Sequence, residues 1–463
     1  MAGLAAAARL ASRDNSVLVC EASQVAGGAL SSWQQDDLVF DTGAHTLTLP
    51  AVYRDLFIKT GSRKKSAAST LEDRVDLRPL DPVRRYVFPD GTRLDLPNAS
   101  RGRLLTAFDD ALGTGAGAAW LRVIDHGSEV WDAIRPTLVE APGSGEREFR
   151  QLLRTRSGRR ALTPLRSLHG LAGQWFRAVD RRLFLVLDDY ARQAGADPLR
   201  APGVLAARPY IEHAFGAWRI VGGLHGLASA LRQRVIDRGA GIRYGARVVR
   251  IETSASSSTP GTVSGVLLED GERVAADVVV AGVDQAVLAE MTGGGGGSRG
   301  SKGTYSYSPS VTTLCLVIED PPEMPHETVL LDEHGPAIRI HVAEEQPTAW
   351  TVHVPAHLGT EAEAVLGAIA ARGIGIGAHG AGSGRVRVLR TITAADREAA
   401  TGVPGGAAYG PAADSLRGVL LRSAIAQPTP GLFHVGASAR PGSGLSFAAL
   451  SGWQAAELIK AAR

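Results

Sequence analysis

The sequence predicts an α/β protein: a discontinuous nucleotide-type domain on a parallel sheet, interrupted by an inserted domain of mixed sheet and helices. Three observations predict it. A helix-like stretch, Ala2 to Leu10, runs directly into the short apolar SVLVCEAS, the grammar of a βαβ unit. Residues from about 100 to 210 carry helical spacing, frequent arginine and no β-rich run. The final segment, GLFHVGAS, ARPGSG and LSFAALSGWQAAELIKAA, returns to strand, loop and helix. With 463 residues and roughly 150 per domain, a one-domain reading is excluded.

In order along the chain, Ala2 to Leu10 reads as a helix already under way, with no cap and no strand before it. The apolar run ending in Glu21 reads as a buried parallel strand. Helix followed by buried strand implies a further strand just upstream of Met1. RYVFPDGTRLDL is two short strands around a Pro-Asp-Gly turn, a hairpin. GGLHGLASALRQRVIDRG sets Leu224, Leu227, Leu231 and Val235 on one helix face. IRYGARVVRIE and VSGVLLEDGERVAADVVVAG, across a Ser-rich loop, read as strands joined by hairpins. The run Gly293 to Gly303 reads as a flexible connector. More strands follow, VTTLCLVIED and TAWTVHVP, then a second Gly-rich loop around 373 to 384. Interleaving of the two kinds of segment assigns 1–75, 215–295 and 395–463 to the nucleotide-type domain and 76–214 and 296–394 to the inserted one.

Composition excludes several classes. Fifty Lys and Arg against 47 Asp and Glu leave +3, too small a bias for a nucleic-acid footprint. No apolar stretch approaches a membrane span and no signal-peptide order opens the chain. Cys20 and Cys315 lie in apolar strand-like runs and read as core thiols of a reducing, cytoplasmic compartment. No metal cluster, Ser/His/Asp set or phosphate-gripping lysine loop stands out, and no catalytic residue is assigned. His213, His225, His341 and His353 read as surface or satisfied core residues. The Arg154 to Arg166 patch reads as a solvated helical face.

A dinucleotide site needs a strand, a glycine turn, a helix N-terminus facing the pyrophosphate and an acid ending the second strand. Gly3 fits the third glycine, Leu4 to Leu10 the helix, and Glu21 the ribose acid. Taken alone, a glycine near a terminus and a Glu after a strand are common. Further segments join them: EASQVAGGALSSW, VFDTGAHTLTLP, GGLHGLASAL and GLFHVGASARPGSGLSFAALSGWQAAELI. Together these resemble the flavin-dependent phytoene desaturase and carotenoid isomerase family, within the wider class that includes the amine oxidases. The run DDYARQAGADPLRAPGVL to FGAWRIVGGLHGLASAL is similar to the bacterial members.

The resemblance implies an FAD-binding Rossmann-like domain. Glu21 would accept hydrogen bonds from the adenosine ribose. Gly27 and Gly28 would let main chain approach the diphosphate; a simple turn is the alternative. Gly43 would bring backbone beside the isoalloxazine, with Ala44 and His45 next to it, and His45 has either a proton-transfer or a packing role. Val248 would offer backbone groups to the adenine. Gly436, Ala437, Gly444 and Leu445 would lie at the flavin, where a helix N-terminus near Leu445 stabilises negative charge in the reduced cofactor.

The implied reaction is hydride loss from an allylic carbon of an apolar polyene or isoprenoid lipid, with oxygen or a quinone reoxidising the cofactor. Such a substrate implies peripheral contact with the inner face of the cell membrane and an apolar tunnel within residues 100 to 210. The alternatives are an amine oxidase-type enzyme on a small polar substrate, and a non-catalytic relative that has lost FAD. Three departures stand out. The first two glycines of the fingerprint and their strand are absent. Arg440 replaces a histidine in the loop assigned to the flavin edge. Position 29 is alanine where many flavin oxidases have arginine.

Overall fold

The computed structural model describes every residue except 29, 62–69, 144, 164–165, 255–260, 294–305, 334, 336, 357–360, 377–384 and 463. Position 29, the Ser-rich loop, most of the first Gly-rich connector and most of the second Gly-rich loop therefore lie outside the described residues.

The predicted first helix spans Ala2–Ala11, and seven of its residues are buried. Leu4, Ala5 and Ala8 pack with Leu227, Leu231 and Val235 of helix His225–Asp237 and with Ala449 of the last helix, Leu445–Ala462. The first and last helices meet closely because residue 452 is glycine: a Cβ there would stand 2.1 Å from the Ala2 carbonyl oxygen.

Strand Leu18–Cys20 pairs in parallel with Gly241–Arg243, and Val279–Ala281 pairs in parallel with Leu432–His434. These are two separate pairs. The run from 241 to 281 was expected to be strands joined by hairpins. Only Val248–Thr253, Val263–Leu268 and Arg273–Ala275 form such an antiparallel sheet, while the strands flanking them pair with distant segments. Three-residue strands carry too few side chains for local pattern to reveal a partner two hundred residues away.

The inserted region is built on a seven-stranded sheet. Its order is Val386–Ile392, Val311–Ile318, Ala349–Pro355, Ile338–Val342, Glu327–Leu330, Arg84–Val87 and Arg93–Leu96, the last two being the predicted hairpin. Alternation divides its faces. Leu314, Leu316, Ile338, Ile340, Trp350, Val352 and Val354 form one face, covered by Val365, Leu366 and Ile369 of helix Ala362–Ala371. Residues between them, including Glu327, Arg339, His341 and His353, point the other way and line a cavity.

Residues 101–215 are helical, as expected, and their apolar stripes fill a solid core around Phe108, Trp120 and Phe176 against the hairpin. The arginines from Arg154 to Arg166 are exposed. Both cysteines are free thiols; Cys315 is buried and Cys20 half-buried.

Candidate cofactor and substrate cavity

All ten residues singled out as cofactor contacts line one cavity of about 2040 Å³: Gly3, Glu21, Gly27, Gly28, Gly43, Val248, Gly436, Ala437, Gly444 and Leu445. Small-molecule sites are commonly about 300–1,000 Å³, so this volume suits a dinucleotide together with a second ligand.

The wall has the chemistry such a cofactor needs. Glu21 continues its strand by donating its N–H to the Arg243 carbonyl, and its Oε1 accepts from Ser23 N at 2.9 Å and Ser23 Oγ at 3.0 Å. The acid is thereby fixed at the strand end. Gly28 and Gly436 have φ of +59° and +117°, which favour glycine. Gly3 is different: it sits in a regular helix, where glycine costs about 1 kcal/mol relative to alanine, and a Cβ there would meet nothing within 4 Å. Internal packing does not call for glycine at that position, and the space beside it belongs to the cavity. Two helix N-termini, at Ala2 and Leu445, open on the same cavity and suit an anionic group. At Val248 a register shift against Leu268 and Leu267 leaves residue 249 out of the ladder, freeing backbone groups at the cavity edge. The Gly436 N–H is already bonded to Ser451 Oγ at 3.0 Å, so this glycine offers space to a ligand and not a donor.

Beyond Gly43 the wall turns polar. Arg84 Nε lies 2.9 Å from Glu327 Oε2 and its Nη2 2.5 Å from Glu212 Oε2. Arg339 bonds Glu327 at 2.5 Å and also Asp189, and Tyr190 donates to Glu212. Burial alone would push the Glu327 carboxyl up, but Arg84 and Arg339 outweigh it and hold the group down at about 2. The expectation of an apolar tunnel within residues 100 to 210 is thus corrected. Those helices are filled by their own side chains, and what they present to the cavity includes Asp189, Tyr190, Arg208 and Glu212.

Three histidines converge on the same wall. His45 Nε2 is 2.9 Å from His353 Nε2, and the His45 and His341 rings stack at 3.5 Å. Burial, reinforced by the neighbouring His353, holds His45 well below the ordinary imidazole range; burial and Arg397 bring His353 to about 3. His353 is a satisfied core residue, both of its ring nitrogens being bonded, whereas His341 is not, and with His45 the two form a group of three histidines that the sequence did not bring together. Both are buried, and neither ring nitrogen of His341 makes a hydrogen bond. The sequence signal was present: Arg-Ile-His in 339–341 and Thr-Val-His in 351–353 place polar groups at alternate positions of adjacent strands. His225 is bonded to Asp41, and His213 is half-buried.

Arg440 is also corrected. It does not line the cavity; its Nε donates to the Arg422 carbonyl at 3.1 Å, and the residue facing the cavity from that loop is Ser443. The loop turns the guanidinium toward the acidic start of helix Glu146–Arg154, where Glu148 and Glu146 act on it.

A cavity of dinucleotide size, walled by a parallel-strand acid, glycine turns and two helix N-termini, defines a nucleotide-cofactor oxidoreductase of the α/β class. Residues 1–297 match the family model of the flavin containing amine oxidoreductases, and the chain belongs to that family. It is an FAD-dependent oxidoreductase. A hydroxyneurosporene desaturase of Cereibacter sphaeroides is 30% identical over 100% of this chain and 96% of its own. A 4,4'-diapolycopene oxygenase of Methylomonas is 28% identical over 76% of this chain and 69% of its own. Among solved structures, an oxidoreductase from Methanosarcina mazei has a TM-score of 0.61 at 16% identity, covering 99% of this chain and 98% of its own. A redesigned putrescine oxidase has a TM-score of 0.63 at 14% identity, covering 100% and 97%; such likenesses show the fold.

Proposed function

We propose that this protein uses FAD to remove a hydride from an allylic carbon of a long, mostly apolar polyene or isoprenoid lipid. The observation that carries the reading is the single cavity that is lined by every predicted cofactor position and, on the same wall, by Arg84, Glu327, Arg339 and His341. The carotenoid-acting names of the relatives support the substrate class.

Bound FAD supplies the two-electron acceptor. The chain's own residues bind and orient it: Glu21 takes the ribose hydroxyls, Gly27 and Gly28 bring main chain to the diphosphate, and Val248 meets the adenine. Gly43, Gly436, Ala437, Gly444 and Leu445 border the ring, where the N-terminus of the last helix favours negative charge. The polar wall of Arg84, Asp189, Glu212, Glu327 and Arg339 suits a polyene that carries an oxygen function.

Oxygen or a quinone would reoxidise the cofactor. Among the described residues no helix is long and apolar enough to cross a membrane, so access to a bilayer substrate would be peripheral.

The test is anaerobic. A polyene in liposomes should bleach the bound flavin and emerge with a longer conjugated chromophore, while primary amines do neither. Bleaching by simple amines, followed by peroxide once air is admitted, with silence toward every polyene would overturn the reading in favour of an amine oxidase. Silence toward both would favour a non-catalytic relative.

A further inference from the structure

We propose that His45, His341 and His353 form a binding site for one divalent transition-metal ion of the zinc type, with an open coordination position toward the cavity. This goes beyond the flavin reading and does not depend on it.

The first support is geometric. One ring nitrogen from each of the three histidines lies within 4.8 Å of the other two, and the closest pair, His45 Nε2 and His353 Nε2, is 2.9 Å apart. A tetrahedral zinc with nitrogen ligands at about 2.0–2.1 Å holds two of them about 3.3 Å apart. The His45–His353 pair is therefore close to that spacing already.

The second support is independent of that spacing. His341 is 7% exposed. Its Nδ1 has no hydrogen-bond partner, and the nearest acid to its Nε2, Glu327, is 4.0 Å away, outside hydrogen-bond range. The ring is stacked on His45, a contact that leaves the buried Nδ1 unsatisfied and offers it no partner. A metal ion would.

Capture requires the stacked rings of His45 and His341, 6° from parallel, to open so that both nitrogens face one ion. Turning the His341 ring breaks no hydrogen bond, and the adjoining cavity gives it room. The other two histidines are already braced. His353 Nδ1 meets Thr313 Oγ1 at 2.8 Å, an outer contact that leaves Nε2 as the donor atom when Nδ1 carries the proton. His326 Nε2 donates to the His45 carbonyl at 3.1 Å and holds its backbone.

Three neutral imidazoles without thiolate select zinc, cobalt, copper or iron over magnesium and calcium. Three protein ligands with a free fourth position is the arrangement of ions that act on a substrate or water.

The experiment uses the full chain, stripped with a chelator and dialysed, then titrated with Co²⁺ and with Zn²⁺ by equilibrium dialysis. We expect one equivalent of each, Co²⁺ bands at wavelengths beyond the flavin absorption, and a change in those bands on adding azide. His341→Gln and His353→Gln should each lower affinity at least tenfold, and Thr313→Val roughly tenfold. Failure of the unmutated chain to bind a stoichiometric ion overturns the proposal whatever the variants do. So does stoichiometric binding that both glutamine variants retain.

Discussion

His225 Nδ1 lies 2.8 Å from Asp41 Oδ1, and the other oxygen of the same carboxylate accepts the Leu224 N–H. One side chain at the end of strand Leu38–Asp41 thereby both binds an imidazole and satisfies an otherwise orphaned donor at the start of helix His225–Asp237. The contact joins the DTGAH and GGLHGL segments, and Gly43 on the cavity wall is two residues from Asp41.

Asp41→Asn should therefore destabilise the protein by about 1.5–3 kcal/mol, the range for a charge-assisted hydrogen bond, and His225→Ala by less. The pH dependence has a definite sign. His225 is raised by its bond to Asp41, so its contribution is fully present below about pH 6.5 and disappears as pH rises through the elevated value. Asp41 is lowered, its bonds from His225 and from the Leu224 N–H outweighing burial. Its contribution is present above about pH 3.9 and fades as pH falls through the depressed value. Urea denaturation of the unmutated chain and the His225→Ala variant should give curves that converge above neutral pH; a constant difference would refute the linkage.

Glu21→Ala should weaken FAD binding by roughly ten- to a hundredfold, the equivalent of about 1.5–3 kcal/mol, and Glu21→Asp by less. Flavin fluorescence titration reads this directly. Equal affinity in the alanine variant would show Glu21 to be only a strand end.

Gly3→Ala should separate stability from binding. In the helix the substitution adds up to about 1 kcal/mol, raising the Tm of the flavin-free chain, while the added methyl intrudes on the cavity and lowers FAD affinity. If affinity is unchanged, the ligand does not approach the first helix closely.

Glu327→Gln should cost about 3–5 kcal/mol at neutral pH, because Arg84 and Arg339 lose a buried partner. The Glu327 carboxyl is held near 2, against about 4.3 in an unfolded chain. Its stabilisation is therefore present above about pH 4.3 and is lost progressively as pH falls toward 2. Denaturant titrations at successive pH values should show the two proteins drawing together only in that acid window.

Legibility in the sequence followed locality. The ten proposed cofactor positions came from a resemblance carried by contiguous segments, each a strand end, a glycine turn or a helix start set by a few adjacent residues. They reach a common cavity because those elements have fixed places in the sheet. His341 and His353 were not readable as partners of His45, since they meet through the antiparallel register of two neighbouring strands and a loop some three hundred residues earlier. Arg84, Glu212, Glu327 and Arg339 come together in the same non-local way. The helical block misled in the opposite direction: apolar spacing identifies a buried stripe, but it does not distinguish a stripe that fills a core from one that lines a channel.

The fit of Gly452 against Ala2 bears on how the protein is made. During synthesis at about 5–20 residues per second, the small apolar helix near the N-terminus emerges about 20–90 s before the helix that covers it. Through that interval Leu4, Ala5 and Ala8 have no C-terminal partner, and the cavity wall at Gly436, Ala437, Gly444 and Leu445 is not yet complete. Flavin binding that uses Gly444 and Leu445 thus waits until the helix that starts there has docked.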